Sequence, residues 1–110
     1  MKVKYYLLSS GRSPVEEFLQ GQSSEIRSDF VDAVNLLASG QVLSMPLNRN
    51  LGSIHPGLHE LRFKDRSGQV RVFYFIKKGG AIYMLYAMKK KTQGIPKKDV
   101  EIILKRIKEV

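Results

Sequence analysis

The chain has 110 residues, 43% of them hydrophobic and 26% charged, with no cysteine and a formal net charge of +9. That length holds one domain with its own core, and the absence of cysteine excludes both a disulfide framework and a thiolate metal site. No stretch approaches the roughly 18–20 apolar residues of a membrane span, and the start MKVKYYLLSSGRS lacks the apolar core and cleavage site of a secretory signal, so a cytoplasmic protein without membrane contacts is expected.

In chain order, Val3, Tyr5 and Leu7 alternate with Lys4, Tyr6 and Leu8, which predicts a strand over residues 2–8. Ser13-Pro14-Val15-Glu16 has the form of a helix start, with Ser13 as N-cap and Glu16 closing a capping box. A second start at Ser23 or Ser24 leads into Ile26, Phe30, Ala33, Val34 and Leu37, one apolar helical face that Gly40 stops. Residues 40–57, rich in Pro, Gly and Asn, read as an irregular connection. Three strands are predicted next, at 58–64, 70–77 and 81–88, with turns at Asp65–Gly68 and Lys78–Gly80. Such short turns imply an antiparallel meander. Pro96 opens a last helix striped by Val100, Ile103, Leu104 and Ile107. The order β-α-α-β-β-β-α is an α+β fold: an antiparallel sheet of about four strands, two N-terminal helices on one face and a C-terminal helix. Part of the opposite face is left for function.

The charge is one-sided. Residues 1–55 hold five Lys/Arg and five Asp/Glu, whereas residues 56–110 hold fourteen against five. A field of this kind concentrates a polyanion such as nucleic acid at one part of the surface. The catalytic patterns that rest on a phosphate loop, a dinucleotide fold, a zinc-binding helix or a cysteine nucleophile are missing. His55 and His59 lie four apart in a loop and a strand entry without convincing companions, so neither a metal nor any other cofactor is expected.

What stands out is cations on strands. Arg62 sits in ELRFK, and Arg71 sits in VRVFYF. A guanidinium in so apolar a run is costly unless it opens into a polar groove or meets a carboxylate. Glu60 is the carboxylate at hand, and the two readings, structural ion pair or phosphate fork, stand side by side. Lys89, Lys90 and Lys91 follow the third strand of the meander, Lys64 flanks Arg62, and Lys97 and Lys98 extend the positive area. Metal-free RNA cleavage requires a proton taken from the 2′-hydroxyl, a cation on the phosphorane and a proton for the leaving oxygen. Arg62 and Arg71 suit the second task. Crowding by like charge loosens a lysine's proton, which fits Lys90 or Lys91 to the others, with Tyr86 a further candidate acid.

The segments SPVEEFL (13–19), GLHELRF (57–63), VRVFYF (70–75) and KKTQGIPKKDVEIILKRI (90–107), in this order over nearly the whole chain, closely resemble the phage-related HigB-like branch of the RelE/ParE toxin superfamily. The resemblance implies a toxin of a type II toxin–antitoxin system, an endoribonuclease (mRNA interferase) that cuts messenger RNA at the ribosome and inhibits translation. It implies a cognate antitoxin, commonly a helix-turn-helix protein, and catalytic residues at Arg62, Arg71, Lys90 and Lys91. Lys64, Lys89, Lys97 and Lys98 would bind RNA. Two alternatives are a ParE-like toxin that poisons gyrase by contact alone and a decayed toxin kept for its antitoxin contacts. The chain departs from the pattern at Val70 and Met88, where aromatics are usual, and at Gly94, where a lysine is usual.

Overall fold

A computed structural model describes all 110 residues, as β1 (Val3–Tyr5), α1 (Pro14–Gln20), α2 (Ser24–Ala38), β2 (Asn48–Asn50), β3 (Leu58–Asp65), β4 (Gly68–Ile76), β5 (Ile82–Lys89) and α3 (Lys97–Glu109). Local signals set the helix ends. The Ser13 hydroxyl accepts from the Glu16 N–H at 3.4 Å, and the Ser23 hydroxyl accepts from the Ile26 N–H at 3.2 Å, each satisfying an orphan donor of a first turn. After α2, Gly40 turns at φ +87° and donates to the Leu37 carbonyl, which ends the helix.

The strands lie in the order β1-β5-β4-β3-β2. β3, β4 and β5 form the expected antiparallel meander. The sheet has five strands rather than about four, and it is mixed, because β1 runs parallel to β5 from Val3↔Ile82 to Tyr5↔Met84. β1 is also shorter than predicted. Beyond it the chain turns, with the Leu8 N–H bonded to the Arg12 carbonyl, and Leu7 and Leu8 face solvent. β2 arises inside the stretch expected to be irregular and pairs with β3 at Asn48↔Leu61. Its anchor is the buried Asn48 side chain, which accepts from the Tyr74 hydroxyl and meets His59 Nδ1 at 3.2 Å. Gly57 joins β2 to β3 at φ +83°. A Cβ there would stand 2.7 Å from the Ile76 carbonyl oxygen, so only glycine lets the two backbones meet.

Each face of the sheet has its own core. On one, α1 and α2 lay Val15, Leu19, Ile26, Phe30, Ala33 and Leu37 against residues that include Leu61, Phe63, Val70, Val72 and Met84. On the other, Ile103 and Ile107 of α3 pack on Leu58, Phe73 and Leu85. A bulge in β5 keeps this second core together. Phe73 pairs with Tyr86 and Tyr74 with Met84, so Leu85 is the extra residue, and Leu85 and Tyr86 both turn toward α3. No helix is long and apolar enough to cross a membrane.

Candidate nucleic-acid interface

Strand alternation puts Glu60 and Arg62 of β3, Arg71 and Phe73 of β4 and Met88 of β5 on the face that carries α3. There the register sets Arg62 directly opposite Arg71, and Met88 opposite Arg71 on the other side. Two like charges facing each other across a strand pair repel. The Glu60 carboxylate, fully buried, resolves this. Its Oε1 accepts from Arg62 Nε at 2.8 Å, and its Oε2 accepts from Arg71 Nε.

The two arginines then part ways. Arg71 is 1% exposed; its Nη1 donates to the Gly94 carbonyl at 3.2 Å, and its Nη2 is buried without a partner. The expectation that Arg71 opens into a polar groove as a phosphate fork is therefore corrected: a carboxylate and the 90–95 segment enclose it. Arg62 is 22% exposed and uses only its Nε on Glu60, leaving both terminal nitrogens without a protein acceptor. Of the two readings left open for these arginines, ion pair holds for Arg71, and Arg62 is both ion pair and open cation.

The lysines do not act as one cluster. Lys64, exposed, follows Arg62 by two residues on β3, and Lys90 follows Met88 by two and donates its N–H to the Gln69 carbonyl, so alternation carries both along the row of Arg62 and Arg71. Lys89 goes the other way. Its Nζ donates to the Ser67 hydroxyl at 3.3 Å, at the β3–β4 hairpin. Lys91 and Lys98 line a cleft of about 640 Å³ at the outer edge of β5, with Phe18, Tyr86 and Met88 as apolar walls. Lys97 is exposed at the start of α3. The register thus puts Arg62, Lys64 and Lys90 on one face of the sheet, whereas the Lys89 ammonium is tied to the hairpin.

Tyr86 stands at the other end of the same cleft, where its hydroxyl donates to the carboxylate of the buried Asp99. Burial and then this hydrogen bond push its pKa up to about 12. The proton of the hydroxyl expected to serve as acid is thus engaged by Asp99. Arg106 completes the group. It donates to the Leu85 carbonyl at 2.7 Å and lies over the Tyr6 and Tyr86 rings at 4.7 and 5.5 Å. Both histidines are engaged elsewhere: His59 stacks on Tyr74 at 5.0 Å with its pKa lowered by burial, and His55 packs edge-on against Phe75. No three metal-ligating side chains converge.

Sequence reasoning named Glu60 only as a partner for one arginine; its grip on both required the cross-strand register. Asp99 and Arg106 went unnoticed, since nothing local marks a helix carboxylate or arginine as the partner of a strand tyrosine. Chemically, the face offers a guanidinium fork with free donors, with Lys64 two residues further along the same strand and Lys90 on the same face beyond β4. That is a phosphate-binding arrangement.

Residues 17–108 match the model of the family described as Phage derived protein Gp49-like (DUF891), a family associated with toxin–antitoxin toxins of the RelE/HigB type. No curated protein matches the chain.

Proposed function

The chain belongs to the phage-derived Gp49-like family, and from that premise we propose that it is the toxin of a toxin–antitoxin pair, acting as a metal-independent endoribonuclease on messenger RNA at the ribosome. The observation that carries this reading is Arg62: a guanidinium pinned through Nε alone, its two terminal nitrogens free, on the sheet face that also carries Lys64 and Lys90. The scissile phosphate sits on Arg62, whose planar fork neutralises the charge of the pentacovalent transition state. Lys90, with Lys91 as the alternative, takes the 2′-hydroxyl proton as that oxygen attacks phosphorus; the P–O5′ bond breaks and the leaving oxygen takes a proton from solvent water, giving a cyclic phosphate and a 5′-hydroxyl end. A helix-turn-helix antitoxin silences the toxin in the resting cell. In the test, purified chain is added to a translation reaction and the messenger is mapped for cuts; Arg62→Ala must abolish them, and cutting at the wild-type rate by that variant ends the reading.

One observation favours a second reading. Tyr86 and Arg71, two of the groups expected to do chemistry, are both held by carboxylates. A toxin that poisons gyrase by contact needs no proton transfer. Inhibited supercoiling with intact messenger identifies it. If both assays are blank and the folded chain is harmless on overexpression, the protein retains only its antitoxin contacts.

A further inference from the structure

A structural ion pair for the buried Arg71 needs one carboxylate and nothing more. Here the same carboxylate also holds Arg62, whose side chain is 22% exposed and reaches solvent, so its charge depends less on a protein partner than the buried Arg71 does. The second contact therefore does more than neutralise a buried charge. It removes rotational freedom from a long side chain and leaves Nη1 and Nη2, the pair with fork geometry, as the only donors facing out. Arg71 meanwhile fixes the carboxylate. It grips Oε2 from the neighbouring strand and is itself held by the Gly94 carbonyl, so Glu60 cannot turn to follow Arg62 outward.

We infer that Glu60 is the positioning residue of the RNA site: it aims Arg62 at the phosphate, and Arg71 acts through it as a strut rather than as a phosphate ligand. The inference rests on the ribonuclease reading above. It assigns to a carboxylate, in a site that must bind a polyanion, the task of lowering the entropy that the cation loses on binding. The site keeps one net positive charge from its two arginines and one glutamate, and places that charge at the exposed end.

The test compares one substitution, Glu60→Gln, in three backgrounds. Glutamine keeps the volume and an acceptor oxygen but not the charge that makes these bonds strong. In the Arg71→Met background no buried cation is left unpaired, so the fold survives the loss of the carboxylate. If Glu60 aims Arg62, Glu60→Gln still lowers kcat/KM for RNA cleavage by about tenfold or more in that background, the scale of one charge-assisted bond. In the Arg62→Met background, which no longer cuts, affinity for single-stranded RNA is read instead, and the same change has no further effect on it. The reverse pattern, with the loss cancelled by Arg71→Met and kept in Arg62→Met, overturns the inference and leaves Glu60 as a counter-ion to Arg71. Thermal melts on all variants, assayed well below their midpoints, separate folding from positioning. Nitrogen-15 spectra give a reading that a merely structural role would not move: the Arg62 Nε–H should exchange slowly with water in the wild type and fast in Glu60→Gln/Arg71→Met, and an unaltered signal also overturns the inference. Failure of the ribonuclease reading looks different, because the wild-type chain itself then leaves RNA uncut.

Discussion

The face of the sheet under α1 and α2 and the face under α3 treat the same strands in opposite ways. Beneath α1 and α2, residues such as Leu61, Phe63, Val70 and Val72 are at most 3% exposed, and every one is apolar. One residue along each strand, on the reverse side, stand Glu60, Arg62 and Arg71, and beyond them Lys64. There α3 covers only the end of the sheet that carries Leu58, Phe73 and Leu85. What differs is the cover. Two helices close the first face with hydrocarbon, so its side chains need only fill space; α3 covers only part of the second, and its charges sit beyond the residues the helix packs on. A sheet can thus keep one face for cohesion and divide the other between cohesion and recognition.

Substitutions on the two faces should separate these roles. The largest effects are on stability. Leu61→Ala, on the closed face, should cost about 2–5 kcal/mol by denaturant titration, with RNA affinity of the folded fraction unchanged. Glu60→Ala should cost a comparable ~3–5 kcal/mol, because it strands the Arg71 charge in a dry site, but it should also weaken RNA binding. Equal affinity for the two folded variants would erase the distinction between the faces.

Arg62→Ala is the cleaner cut on the open side. It leaves Oε1 of Glu60 without its donor, a loss of about 1–3 kcal/mol, while the salt dependence of binding to single-stranded RNA should flatten by about 0.7 in log–log slope, the release of counterions from one phosphate. Gly94→Lys should act in the opposite sense. A Cβ at Gly94 meets nothing within 4 Å, so the side chain has room, and the backbone carbonyl that holds Arg71 is kept. The slope should steepen by about the same 0.7. A Gly94→Lys protein with unaltered slope would place the RNA path away from this segment.

The smallest expected effect is a pH dependence that belongs to cohesion alone. Burial lowers the His59 pKa below its ordinary 6.5, so the folded chain disfavours the imidazolium. The unfolded state then binds more protons through that window; the His59 contribution is present above pH 6.5 and is lost as pH falls from there through the folded value. Melting midpoints measured across pH 5–8 should show this decline, and His59→Phe should flatten it.

Much of this was legible in the sequence, for physical reasons. Serine caps, the apolar stripe of α2 and the alternation of the meander strands are local signals, and each element forms where they put it. β2 was not legible. Asn48-Arg49-Asn50 has no strand character of its own and is a strand because Asn48 finds Tyr74 and His59 across the sheet. The direction of β1 was hidden too, since its partner lies some eighty residues away. For the site, the sequence named both arginines and their carboxylate but could not divide the roles, because exposure depends on what the 90–95 segment covers. The lysine run was half legible. Extending β5 by alternation would have sent Lys89 and Lys90 to opposite sides.

The single extra residue in β5 has a consequence for how this protein tolerates insertion and deletion. Because Leu85 and Tyr86 share a side, everything after them is offset by one step from the pattern set by Ile82–Met84. Excising Leu85 would therefore restore strict alternation while leaving residues 86–90 on the sides they now occupy, with Met88 still opposite Arg71, and would remove one apolar residue from the core under α3. One missing codon at this point would spare the chemical lettering of the strand end, whereas one lost just beyond the bulge would have no extra residue to absorb it.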